Sequence, residues 1–180
     1  MRIDDRPSNN MPNDHMMSLY TSLDDIAHKK DDGMIITGAP LGQLPFDQVH
    51  FWPHLALILD WTEHHVTSTM ILCWAVQAAM YHLYDIDKKL LPEKLTGVYP
   101  HKLVRPHSPI ARGFDDFFQA PHSRYAEVPA ESVAAHSDLE IIAESQTAGA
   151  YLFAHRSGKH LFVTGHSEYD PDSLEHEYLR

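Results

Sequence analysis

The chain has one cysteine, Cys73, in 180 residues. An internal disulfide is therefore impossible, and so is a zinc site built on cysteine pairs. The simplest setting is a reducing, cytoplasmic one. Basic residues are also scarce: 14 Lys and Arg stand against 25 Asp and Glu, a formal net charge of -11. That balance argues against a nucleic-acid backbone or an anionic membrane as the main partner. No apolar run reaches the roughly 18 residues that span a bilayer. The opening MRIDDRPSNNMPNDHMM is acidic and polar, unlike a secretory signal. Neither GxGxxG nor GxxxxGK[ST] occurs, so phosphate-loop readings have no support. HExxH is missing too; the nearest string, His176-Glu177-Tyr178-Leu179-Arg180, lacks its second histidine. Fifteen histidines are present but scattered, and no metal is expected.

What is present is ordinary for a globular protein, with 43% hydrophobic and 22% charged residues. The length suits one domain over residues 1–180, and neither an internal repeat nor a low-complexity segment is visible.

Apolar patterning predicts an α/β fold. Arg2-Ile3-Asp4 has the look of a strand tail, and Ser22 caps a short helical start. A strand over 33–37 closes in Gly38-Ala39-Pro40-Leu41-Gly42. A helix over 46–64, bent or begun near Pro53, directs Phe51, Leu55, Leu59 and Trp61 toward a core. A strand over 68–72 and a helix over 74–84 follow. Strand, helix, strand, helix with continuous apolar strands predicts a mostly parallel sheet covered on both faces. The second half offers strands over 95–104, 140–144, 150–156 and 160–164 with short turns, which predicts an antiparallel extension. A last helix opens at Asp172 or Ser173.

Three strands, over 33–37, 68–72 and 160–164, each end in a polar turn-forming stretch. Ligands of an open parallel sheet sit at the carboxyl ends of its strands. Gly38–Gly42, Cys73 and Gly165-His166-Ser167-Glu168 are therefore predicted to share one crevice. Cys73 stands where a β-branched run meets an Ala-rich helical run, the layout of a nucleophile elbow. A helix N-terminus there is expected to lower the thiol pKa and to offer N–H groups to an oxyanion. A histidine within reach would carry the proton. In an extended segment residues two apart face one side, so Glu168 would hold the His166 ring as the third member of a triad. Each piece also has a plain structural reading: a core cysteine, a chance His-x-Glu, a strand-exit turn.

The strings TGAPLG (37–42), VTSTMILCWAVQAA (66–79), EKLTGVY (93–99), RGFDDFFQAPHSRYAEVP (112–129) and FVTGHSEYD (162–170) resemble the homoserine O-succinyltransferase family over essentially the whole chain. The resemblance implies a flavodoxin-like fold related to class I glutamine amidotransferases. It implies ping-pong acyl transfer from an acyl-CoA to the hydroxyl of homoserine, the committed acylation in methionine synthesis. No bound cofactor is implied, only succinyl-CoA, or acetyl-CoA, as co-substrate. By position, Cys73 would be the acylated nucleophile, His166 the proton acceptor and Glu168 the third active-site residue. Lys94, Ser123 and Arg180 would bind substrate. Gly42 stands at the donor-specificity position, where glycine goes with succinyl-CoA and glutamate with acetyl-CoA. Serine remains an alternative acceptor. A glutamine amidohydrolase or Cys peptidase with the same triad, and an inactive truncated relative, remain alternative readings. Homodimers are the assembly implied. Relatives carry more chain at both ends, including an opening strand and helix and a lysine linked to activity, so a truncated chain is expected. Ser167 replaces an expected proline.

Overall fold

The computed structural model describes residues 21–170 and 172–179. The strand expected at residues 2–4 and Arg180 lie outside them. Helix α1 (Leu23–Ile26) is opened by Ser22, whose hydroxyl accepts from the Asp25 N–H while Asp25 accepts from the Ser22 N–H. Strand β1 (Asp31–Ile36) follows, then a 3₁₀ turn (Phe46–Gln48) and helix α2 (Trp52–His65). Pro53 lies in the first turn of α2, where its missing N–H costs nothing, so the helix begins there rather than bending there. Strand β2 (Val66–Leu72) runs through Cys73 into helix α3 (Trp74–Tyr84).

A long strand β3 (Lys89–Leu103) pairs antiparallel with β4 (Phe117–Glu127), with an irregularity between Leu90 and Leu95. Helix α4 (Ala130–Ala135), strands β5 (Leu139–Ser145), β6 (Gly149–His155) and β7 (His160–Val163), and helix α5 (Ser173–Leu179) complete the described elements. Strand β4 and helix α4 are absent from the sequence expectation. Pro121 sits inside β4, which argues against a strand, but β4 is the last strand of the sheet, and an edge tolerates a missing N–H.

The seven strands lie in the order β1-β2-β7-β6-β5-β3-β4. The α/β expectation holds, but the sheet is mixed rather than mostly parallel. Among the described residues only β1–β2 and β2–β7 are parallel; the other four pairings are antiparallel. The short turns joining β5 to β6 and β6 to β7 leave no room for a crossover helix, so those two pairs are antiparallel. The three parallel strands are the three whose polar exits were expected to converge.

Side chains alternate between two apolar layers. Ile71, Phe153 and Phe162 point into a cluster with Leu55, Leu59, Val76 and Met80 of α2 and α3 and Val133 of α4. The Phe153 and Phe162 rings stack at 4.9 Å, both fully buried. Each such ring contributes up to about 3 kcal/mol of burial free energy. Leu72, Leu152, Ala154 and Val163 point the other way, toward Leu103, Ala111, Ala120 and Tyr151. Among the described residues no α-helix joins this second cluster, so helical cover on both faces is not what these residues form. No described helix is long and apolar enough to cross a membrane.

Candidate functional site

Parallel pairing of β2 with β7 puts Leu72 opposite Val163, so both strands deliver their exits to one edge. The Cys73 N–H donates to the Val163 carbonyl at 2.8 Å, which ties the two exits together. Cys73 itself has φ 52° and ψ -120°. A left-handed φ at a non-glycine residue costs on the order of 1–3 kcal/mol and persists only where the surroundings enforce it. Helix α3 starts at the next residue, and the Val76 N–H already donates to the Cys73 carbonyl. The elbow expected from the sequence is present. Gly38, at the exit of β1, explains how the turn fits. A β-carbon there would lie 3.0 Å from both the Cys73 β-carbon and the Trp74 nitrogen.

Beyond β7 the chain turns at Gly165, where a β-carbon would meet the Tyr151 ring at 2.7 Å and the Pro121 carbonyl at 2.8 Å. That close approach lets the His166 N–H reach the same Pro121 carbonyl. The His166 ring stacks on Tyr169 at 4.2 Å, and its Nδ1 lies 2.7 Å from Glu168 Oε1. A carboxylate can only accept, so Nδ1 carries the hydrogen of that bond. His166 and Glu168 therefore pair as expected, but across a turn rather than along an extended segment, as the Tyr169 N–H to His166 carbonyl bond indicates. Glu168 is half exposed, so the pair is partly screened by water.

A cleft of about 200 Å³ opens at this edge, lined by Pro40, Gly42, Cys73, Gln77, Lys94, Ser123, Arg124 and Glu177 among others. Of the expected site residues, Cys73, Gly42, Lys94 and Ser123 thus share one cavity. His166 and Glu168 do not line it, and among the described residues Cys73 makes no hydrogen bond to the His166 ring. Catalytic contacts are often long without substrate. Lys94 Nζ donates to the Glu177 carbonyl at 2.6 Å, and Ser123 Oγ lies 3.4 Å from Glu177 Oε2. Helix α5 thereby forms one wall of the cleft.

The Cys73 thiol is not activated in the way the sequence suggested. Burial pushes its pKa up to about 11, against the lowering influence of the Trp74 N–H and the Arg124 charge. Glu168 and Glu177 push in the same direction as burial. The helix N-terminus acts as expected, but desolvation outweighs it. At neutral pH the resting group is a thiol that must lose its proton to a base.

Sequence reasoning missed several cleft residues, among them Gln77, Arg124 and Glu177. Arg124 lies on β4, whose strand nature was not recognised. Once β4 is a strand, Ala120, His122, Arg124 and Ala126 fall on one face, all buried, and a buried arginine there stands out.

The sequence model of the homoserine O-succinyltransferase family matches residues 1–180. A homoserine O-succinyltransferase of Vibrio vulnificus (strain YJ016) is 50% identical over 180 residues, which are 100% of this chain and 58% of that protein. One of Shewanella loihica (strain ATCC BAA-1088 / PV-4) is 49% identical over the same span, 56% of its length. The chain thus spans a little over half the length of these curated relatives. Among solved structures, a glutamine amidotransferase from Thermotoga maritima superposes with TM-score 0.62 at 13% identity, over 81% of this chain and 60% of that one. A glutamine amidotransferase from Methylobacillus flagellatus also gives 0.62 at 13%, over 89% and 59%. At such low identity these two speak for the fold alone.

Proposed function

Because the chain belongs to the homoserine O-succinyltransferase family, we propose that it carries the acyl-transfer site of a homoserine O-succinyltransferase acting in methionine synthesis. The observation that bears most weight is the strained Cys73 elbow at the head of α3, opening into a cleft with Lys94 and Ser123.

In this reading Cys73 Sγ attacks the thioester carbonyl of succinyl-CoA. His166 Nε2 takes the thiol proton, and Glu168 holds the ring through Nδ1. N–H groups at the start of α3 face the developing oxyanion. The C–S bond to CoA breaks, and the leaving thiolate takes the proton back from His166. The homoserine hydroxyl then attacks the Cys73 acyl-thioester, gives its proton to His166, and releases the acyl ester and the thiol. A raised thiol pKa suits a nucleophile that is deprotonated only as it attacks.

Lys94 and Ser123 hold the amino-acid acceptor, and Arg180 is the third residue assigned to it. The Glu177 carboxylate in the same cluster suits an ammonium group. Gly42 leaves space for the succinyl chain: a β-carbon there would only touch Ala126 and Gln77, at 3.8 and 3.9 Å. A cytoplasmic homodimer is the working assembly of this reading.

Mass spectrometry of the protein after incubation with succinyl-CoA alone tests it. A succinyl adduct on Cys73, lost in Cys73→Ala and discharged by homoserine, is the expected result. An unmodified Cys73 at saturating donor would refute the reading.

A further inference from the structure

Arg124 is 7% exposed, and among the described residues it forms no ion pair. Its Nη2 donates to the Ala148 carbonyl at 2.6 Å and its Nη1 meets His122 Nδ1 at 2.9 Å. The Nε–H has no partner. Glu127 acts on it only as a more distant charge. A buried guanidinium without a counter-ion is costly, and neutral acceptors offset only part of that cost.

The bonds behind Arg124 fix two tautomers. His101 Nδ1 lies 2.8 Å from the Tyr99 carbonyl, which can only accept, so Nδ1 carries hydrogen and Nε2 is bare. That bare Nε2 lies 3.1 Å from His122 Nε2, which must therefore donate. His122 Nδ1 is then bare and accepts from Arg124. Every link has one donor and one acceptor with both rings neutral. Burial, first, and then the Arg124 charge drive the His122 pKa down to about 2, which keeps that ring uncharged. The Phe118 and Tyr151 rings pack against the His101 ring at 5.5 and 4.6 Å. The chain of imidazoles orients a cation and leaves its charge unspent.

We propose that Arg124 binds the free carboxylate of a dicarboxylic acyl group, and that His122 and His101 are positioning residues that hold its guanidinium for that carboxylate. This rests on the acyl-transfer reading above and deepens it. Arg124 lines the cleft and also the small adjoining cavity, sharing both with Cys73 and Gln77. Lys94, Ser123 and Glu177 bond to one another instead and form a separate polar group. A four-carbon diacid acyl group carries its carboxylate two methylenes beyond the thioester carbon, within one side chain's reach of Cys73. The resting Cys73 is a neutral thiol, so it does not neutralise Arg124 itself.

The test is calorimetric titration of the Cys73→Ala chain with succinyl-CoA and with butyryl-CoA, which has a methyl group in place of the carboxylate. Succinyl-CoA is expected to bind at least about tenfold more tightly, and Arg124→Met to level the two. Arg124→Gln, which keeps a neutral donor, reads the same difference if the methionine variant folds poorly. His122→Phe is expected to raise the KM for succinyl-CoA while leaving kcat near its original value. His122→Gln, able to accept and donate in the same line, restores the low KM. Equal affinity for the two donors with Arg124 in place, no binding of either, or a preference that survives both Arg124 substitutions overturns the proposal. A preference that depends on Arg124, found without any adduct on Cys73, sinks the acyl-transfer reading and leaves the carboxylate site standing.

Discussion

Gly38 leaves no room for a side chain beside Cys73: the position a Gly38 β-carbon would take is 3.0 Å from the Cys73 β-carbon. The exit of β1 thereby holds the elbow in its left-handed turn. Gly38→Ala must push the turn away, at a cost of roughly 1–3 kcal/mol for overpacking. We expect a lowered unfolding midpoint and a rate of Cys73 acylation reduced by at least about tenfold. A variant with unchanged acylation kinetics would show that the contact does not shape the elbow.

Thiol reactivity gives a second expectation. Burial holds the Cys73 pKa near 11, so alkylation by iodoacetamide should be slow at neutral pH and climb steadily toward pH 11. A plateau below pH 8 would mean that the thiolate is already formed. His166→Ala is expected to lower the acyl-transfer rate by roughly 10²–10⁴-fold, the usual range for a positioned base. It should leave the alkylation profile almost unchanged.

Donor choice should turn on Gly42. The backbone there has room for a side chain, since a β-carbon meets nothing closer than 3.8 Å. Gly42→Glu would supply a carboxylate inside the cleft that Arg124 lines. It would repel the succinyl carboxylate and take its place. Steady-state rates with both donors should shift toward acetyl-CoA; an unaltered ratio would show that position 42 does not govern the choice. Heating scans should also show a raised midpoint, because a buried cation has gained a partner.

Acid stability is a fourth handle. His122 is fully buried, and its pKa falls from 6.5 to about 2 on folding. The unfolded chain binds this proton more readily, so the stability that the neutral ring supplies is complete above pH 6.5. It is lost as the pH falls, at up to about 1.4 kcal/mol per pH unit for one group. His122→Gln should flatten the slope of unfolding free energy between pH 6.5 and 4 relative to the parent. Parallel slopes would mean that the ring does take up a proton in the folded state.

The three strands that build the crevice were readable because each pairs an unbroken apolar run with a polar exit. Cys73 and the His166–Glu168 pair were readable for the same reason: each lies immediately after such a run. Strand β4 was not, because Pro121, His122, Ser123 and Arg124 imitate a loop, and only its edge position excuses the proline. The antiparallel extension was readable in the short turns after β5 and β6, but the pairing of β3 with β5 was not, because those strands are not consecutive in the sequence. The thiol pKa was misjudged because desolvation is a property of the packed molecule, whereas the helix start is visible locally. Arg180 falls outside the described residues, and its substrate-binding role is an implication of the family resemblance.

The adjacency of β2 and β7 has a consequence for biogenesis. Cys73 and His166 are brought to one edge by strands between which the whole of β3 to β6 is threaded. During synthesis the ribosome releases the sulfur long before the imidazole exists. The docking of β7 is a distant contact, slow to form and late in the sequence of events. A nascent chain arrested before residue 160 would therefore carry the sulfur without the imidazole, and without the burial that β7 adds around the thiol.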